Sequence, residues 1–280
     1  MAKVILSAFA DEYSSNFTEQ LKALNHFNID YIEVRGVDGK NVSTLSQAEV
    51  NQVKNKLEDY GIKVSAIGSP LGKIKLDGDL NAHYDTAKKV FETACNLDTK
   101  NVRVFSFYPP DGKNILELES QVFDAVYGLL KIAEEYNVTL CHENEAGIYG
   151  ESPMSCKKLL DTFGGKLKAV FDAGNFVLDQ YVPFPDAYNL LFDHIEYFHL
   201  KDSLSEGAVV PPGKGQARLQ DIINDYKLNG KKDTFFTLEP HLQTFNGLNA
   251  LVGKSFDNPY KYPDEKTAFT DAVNKIKEFL

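Results

Sequence analysis

The sequence predicts an α/β fold, a (β/α)8 barrel of the TIM type in one domain. Three observations carry that reading. Eight short runs rich in β-branched and aromatic residues alternate with longer segments of helical period, the pattern of a parallel sheet covered by helices. The chain has 280 residues, close to the ~250 that eight strand-helix units need. Four polar residues stand at the ends of apolar runs with spacings near one unit: Glu143 in VTLCHENE, Asp172 in LKAVFDAGN, His199 in IEYFHLKD and Glu239 in TFFTLEPHL, 29, 27 and 40 residues apart.

In chain order the strands are expected at Val4–Phe9, Tyr31–Gly36, Val64–Ile67, Val102–Phe107, Val138–His142, Lys168–Asp172, Glu196–Leu200 and Phe235–Glu239. Several helices announce their ends. Ser46 with Glu49 three residues on is a capping box, and Leu57 and Tyr60 lead to Gly61 as the stop. From Leu116 to Tyr136, the residues Val122, Ala125, Val126, Leu129, Leu130 and Ala133 make one apolar face. Ser152-Pro153 supplies an N-cap and a first-turn proline, and Phe163-Gly164-Gly165 ends that helix. An open dinucleotide-binding sheet would carry G-x-G-x-x-G after its first strand, whereas here that strand runs into Ala10-Asp11-Glu12.

Composition narrows the class. The formal net charge of −10 and a pI near 5.1 argue against nucleic-acid binding, which relies on Lys and Arg neutralising phosphates. Cys95, Cys141 and Cys156 show no metal or redox spacing and read as reduced thiols, with Cys141 in the core beneath Glu143. The apolar stretch before Asp11 is too short for a signal-peptide core, and no later segment approaches a membrane span. A cytoplasmic protein is expected.

In a parallel barrel, strand C-termini share one rim, where the chemistry sits. Glu143, Asp172, His199 and Glu239 are therefore expected to form one ring. Carboxylates with a single imidazole suit Mn²⁺, with Mg²⁺, Co²⁺ or Zn²⁺ also matching the donor set. Without a metal, three carboxylates would repel one another. Glu143 and Glu239, on well-separated strands, are the pair suited to removing and returning a proton beside a carbonyl.

Other residues are candidates for substrate contact. In YIEVRG, Ile32 and Val34 should pack outward, aiming Glu33 and Arg35 at the barrel mouth, either for substrate or as an ion pair. Lys73 lies in a Gly- and Pro-rich loop after the third strand. In HENE, Glu143 and Glu145 share one strand face, and His142 and Asn144 the other. His142 reads equally as a contact or as a side chain packed under the helices. Asn175 is a candidate hydroxyl reader, and Lys201 a cation for an oxyanion or phosphate. Pro211-Pro212-Gly213-Lys214-Gly215 is a rim loop with only a weak likeness to a phosphate cradle.

The strings HENEAGIYG, FDAGNF, YFHLKD and LEPH resemble the motifs of the xylose isomerase-like barrel superfamily, the sugar phosphate isomerase/epimerase group; SAFADE, YIEVRGVDGKNV and SAIGSPLGK look similar to further segments. The resemblance covers most of the chain and implies one such domain over residues 1–280. It implies a metal-dependent isomerase or epimerase acting on a small sugar or sugar phosphate. Glu143 and Glu239 would be both ligands and proton-transfer groups, and Asp172 and His199 ligands. Two departures concern substrate identity: Asn175 stands where related 3-epimerases tend to have histidine, and so does Glu145. Inosose-type dehydratases share the ring. An endonuclease IV-like phosphodiesterase would need more histidine ligands than His199, with His142 and His241 the remaining candidates. The aromatic segment from Leu242 to Pro263 is read as a rim lid or as the contact of a homodimer.

Overall fold

The computed structural model describes residues 1–242 and 260–280. The expectation for Leu242–Pro263 therefore falls largely outside the described residues. Eight parallel strands close into a barrel: β1 (Val4–Ala8), β2 (Tyr31–Val34), β3 (Lys63–Ile67), β4 (Asn101–Val104), β5 (Thr139–Glu143), β6 (Leu167–Asp172), β7 (Ile195–Leu200) and β8 (Thr234–Leu238). Each pairs with its sequence neighbours, and β8 pairs with β1 from Val4↔Thr234 to Ala8↔Leu238, which closes the ring. Among the described residues no helix is long and apolar enough to cross a membrane.

All eight expected strands are present, and two end more than one residue earlier than periodicity suggested. β2 stops at Val34 because Gly36–Val37 turns into an antiparallel hairpin with Lys40–Asn41. β4 stops at Val104 because the next residues bond to a neighbouring loop: Phe105 N–H donates to Leu71 O at 2.7 Å, and Phe107 N–H to Gly72 O at 3.0 Å.

The helices include α1 (Phe17–His26), α2 (Gln47–Tyr60), α3 (Leu80–Asn96), α4 (Glu119–Tyr136), α5 (Pro153–Thr162) and the short α6 (Ala173–Leu178). Ser46 and Glu49 make the reciprocal capping box of α2, and Gly61 ends it at φ 67°, the left-handed conformation that glycine adopts without Cβ strain. Ser152 caps α5 by accepting from Ser155 N–H, with Pro153 at the first position. The six apolar positions read on α4 are all buried, although Ile115–Leu118 before it forms a separate 3₁₀ turn.

Alternation along each strand sorts side chains into two compartments. Outward residues such as Ile32, Val34, Leu140, Phe198 and Phe236 join the helix faces in the main core. Inside, Ala66, Cys141, Val170 and Tyr197 form a small apolar plug with Phe235 beneath. Directly above it, at the C-terminal ends of the strands, the barrel interior turns polar.

Candidate metal centre

Register places the ring. Asp172 and His199 are paired across β6 and β7, Glu143 ends β5, and Glu239 follows β8 with its N–H donating to Leu200 O at 3.2 Å. The four residues are at most 2% exposed. One ligand atom from each can be chosen so that all lie within 4.8 Å of one another.

His199 is the centre of the arrangement. Its Nδ1 donates to Glu143 Oε1 at 2.7 Å and lies 3.4 Å from Glu239 Oε2 and 3.9 Å from Asp172 Oδ2. Its Nε2 donates to Glu33 Oε2 at 3.2 Å, while Glu33 Oε1 accepts from the Tyr197 hydroxyl at 2.9 Å. Burial disfavours the imidazolium, but Glu143, Glu33 and Glu239 outweigh it and push the pKa well up. The ring thus holds a proton on Nδ1 at the point where three carboxylate oxygens converge. A carboxylate behind the second nitrogen is the arrangement that orients histidine ligands.

The outer oxygens are each held separately. Glu143 Oε2 accepts from Arg103 at 3.0 Å, Glu239 Oε1 from Arg35 at 2.8 Å, and Asp172 Oδ1 from Asn175 N–H at 2.8 Å. The inner oxygens are left for a common cation. Lys201 Nζ approaches Asp172 Oδ2 to 2.8 Å and Glu239 Oε2 to 3.2 Å. The first approach is off the hydrogen-bonding direction, so Asp172 Oδ2 is buried without a hydrogen-bond partner among the described residues. An orphaned inner oxygen, two further converging carboxylates and an oriented imidazole fit a divalent ion chemically.

The electrostatics diverge within the ring. Burial would raise Glu143, yet His199 and Arg103 bring it down to about 2. Glu239 is likewise held well below the usual range, against burial, by Lys201, His241 and His199. Asp172 goes the other way: burial, aided by Glu143 and Glu239, overcomes Lys201 and raises it to about 7.

The remaining candidates fall into distinct places. Glu33 lies under the ring as the support of His199. Arg35 is paired with carboxylates, donating through Nε and Nη2 to Asp11 at 2.8 and 3.0 Å and through Nη2 to Glu12 at 3.1 Å, besides its bond to Glu239. This is the ion-pair alternative for Arg35. Lys73 donates to Glu145 Oε2 at 2.7 Å and lies 4.3 Å over the Phe105 ring. His142 is on the opposite strand face from Glu143, hydrogen-bonded to Ser106 Oγ at 2.9 Å, and burial lowers its pKa to about 4. An added Cβ at Gly150 would sit 2.2 Å from its ring, so His142 is wedged in the wall, the packed alternative. Asn144 donates to Asp172 O at 2.9 Å and accepts from Asp172 N–H at 3.0 Å, and Asn175 Nδ2 donates to Asn144 O at 2.8 Å. Both asparagines lock β5 to β6. Cys141 lies in the apolar plug.

Arg103 and Phe9 escaped the sequence reading. Arg103 is buried and also donates to Gly68 O at 3.2 Å and Ser69 O at 3.4 Å. Phe9 is a floor 4.2 Å from the Arg35 guanidinium and 5.1 Å from that of Arg103, and its ring meets His199 edge-on at 5.1 Å. Arg103 follows an outward Val102 just as Arg35 follows Val34, so strand alternation was the available signal. A second group, Glu12, Glu239 and His241, adjoins the ring and shares Glu239 with it.

A family model for the xylose isomerase-like TIM barrel matches residues 21–257. No curated protein sequence matches the chain. Among solved structures, D-psicose 3-epimerase with D-tagatose from Clostridium cellulolyticum H10 superposes with a TM-score of 0.75 at 13% identity, over 98% of this chain and 97% of that one. The probable 3-DHS dehydratase AsbF from Bacillus anthracis, involved in petrobactin synthesis, gives 0.72 at 16% identity, over 99% of both. A xylose isomerase-like TIM barrel protein from Mycobacterium smegmatis in complex with magnesium gives 0.69 at 14% identity, over 100% and 97%. At these identities the likeness concerns the fold.

Proposed function

We propose, for a chain that belongs to the xylose isomerase-like TIM barrel family, a divalent-metal-dependent sugar isomerase or epimerase that moves a proton beside a carbonyl. The observation that carries the reading is the convergence of Glu143 Oε1, Glu239 Oε2 and Asp172 Oδ2 on His199 Nδ1, with every outer oxygen separately held. Glu143, Asp172, His199 and Glu239 would hold the ion, Mn²⁺ or Mg²⁺ matching the oxygen-rich donor set best. When bound, it supplies charge that polarises a carbonyl and stabilises the enediolate.

The chain's own groups supply the proton chemistry. Glu143 and Glu239 are both ionised at neutral pH, so either can accept a proton from the carbon next to the carbonyl. The same glutamate can return it to the neighbouring carbon; delivery to the opposite face would draw on the glutamate across the ring once it has taken up a proton from a substrate hydroxyl or solvent. Arg103 and Arg35 fix the two carboxylates in position from behind, which keeps the reacting atoms in place. Asn144 and Asn175 hold the β5 and β6 ends that carry Glu143 and Asp172.

A second reading is favoured by one contact. The Lys201 ammonium within reach of Asp172 and Glu239 suits neutralising the charge that builds on a departing hydroxide, which would turn proton abstraction into dehydration of an inosose-type polyol. A phosphodiesterase of the endonuclease IV kind has less support, because His142 lies in the wall and the further histidine His241 meets the ring through Glu239.

Deuterium uptake from D₂O into ketoses, aldoses and inosose with Mn²⁺ present tests the proposal. Exchange beside the carbonyl should occur in the wild type and fall at least about a hundredfold in Glu239→Gln, the size of a general-base contribution. Loss of water along with exchange would select the dehydratase. Metal binding without exchange in any compound would sink both.

A further inference from the structure

We infer that the substrate of this site, on the reading just given, is an uncharged polyhydroxy carbonyl compound, and that Glu145 enforces the choice by neutralising Lys73. The bookkeeping of charge is the first ground. Around the three ring carboxylates stand Asp11, Glu12, Glu33 and Glu145; against them the described residues set Arg35, Arg103, Lys73 and Lys201, with His241 beside Glu12 and Glu239 and the His199 imidazolium, whose Nδ1 proton a bound cation would replace. Even a dication leaves no positive excess. A phosphate or carboxylate brought here would meet like charge in a buried setting, where such contacts cost most.

Each of those cations is also already engaged. Arg35 bonds to three carboxylates, Arg103 to Glu143 and two backbone carbonyls, and Lys201 lies against Asp172 and Glu239. Lys73, the most exposed of the four, is tied to Glu145 at 2.7 Å with its ammonium over Phe105, the ring that also lies 5.1 Å from the Arg103 guanidinium.

A backbone anion cradle on the rim is filled from within. Asp202 Oδ1 accepts from Ser203 N–H and Ala217 N–H, both at 3.0 Å. Its Oδ2 accepts from Gly213 N–H at 2.8 Å and Gly215 N–H at 3.0 Å. The Pro211–Gly215 loop, the segment with some likeness to a phosphate cradle, thus wraps a carboxylate of its own chain. Gly215 lets it close, since an added Cβ would sit 2.3 Å from Asp202 Oδ1. A phosphoryl group finds no donors left there.

Calorimetric titration of the Mn²⁺-supplemented protein tests the inference with matched probes: free ketohexoses and inosose against ketohexose 6-phosphates and 3-dehydroshikimate. The wild type should bind the uncharged set at least about tenfold more tightly. Glu145→Gln, which leaves Lys73 charged and unneutralised, should narrow that gap about tenfold for the phosphates. The gain should vanish in Glu145→Gln with Lys73→Met, which separates electrostatics from misfolding. Tighter wild-type binding of the phosphates or of 3-dehydroshikimate overturns the inference, as does failure to bind any uncharged probe; an unchanged gap in Glu145→Gln overturns the role of Glu145. Selective binding of uncharged probes without deuterium exchange would retain the substrate class and sink the proton-transfer chemistry. Exchange confined to charged probes would do the reverse.

Discussion

At the scale of single residues, the ring is an exercise in giving each carboxylate oxygen one task. Glu33 is the clearest support, because its carboxylate decides which nitrogen of His199 faces the ring. Glu33→Gln keeps the size but weakens the acceptor, and metal affinity should drop by about 10–100-fold, the usual cost of losing such a partner. Titration of Mn²⁺ by electron paramagnetic resonance reads this directly; unchanged affinity would remove Glu33 from the support of the site. Asp179 is a second residue with a consequence. Burial first, and then the nearby Glu151 and Glu145, raise its carboxyl to about 7. Its unfolded value is about 3.9, so folding favours the protonated form. The stability it contributes is complete below about pH 4 and is lost as pH rises to about 7. Asp179→Asn cannot ionise, so the variant should gain on the wild type in melting temperature between pH 4.5 and 7.5. Parallel curves would contradict it. Sequence inspection found Glu33 and the four ring residues, since strand alternation points them inward. It could not find Arg103's reach to Glu143 across 40 positions, because partner choice depends on which strands are neighbours.

At the scale of elements, the barrel's loops are braced by backbone contacts more than by their own propensities. The loop after β3 donates and accepts with the segment after β4, which cuts β4 short. The loop after β7 is organised by Asp202, a residue whose sequence neighbourhood only suggested a flexible rim. Gly215→Ala should unlatch it. Its new Cβ would lie 2.3 Å from Asp202 Oδ1 and 2.5 Å from Ser203 O, so the cost comes from contact and not from backbone conformation. A loss of about 1–3 kcal/mol is expected, the size typical of overpacking. Urea denaturation with an unchanged midpoint would show that the loop accommodates the methyl. Helix ends behaved differently: Ser46, Gly61 and Ser152 did what their local chemistry dictates, because caps are satisfied within a few residues.

At the scale of the whole molecule, a buried excess of carboxylates is a standing cost that a cation relieves. A divalent ion that binds only the folded chain should raise stability by about 2.7 kcal/mol at a hundredfold over its dissociation constant. Thermal unfolding with Mn²⁺ and with chelator measures this, and superimposable curves would speak against a metal in the ring. The sequence by itself determined the strand count, the inward-facing ring and the helix ends marked by Ser46, Gly61 and Ser152-Pro153, since these follow from alternation, apolar period and capping, all local in the chain. Only the tertiary structure decided that Arg35 serves carboxylates, that His142 lies in the wall, and that Asp202 fills the cradle of the Pro211–Gly215 loop. Those outcomes depend on which groups meet across the barrel, and a polar side chain's role is set by the partner that satisfies it.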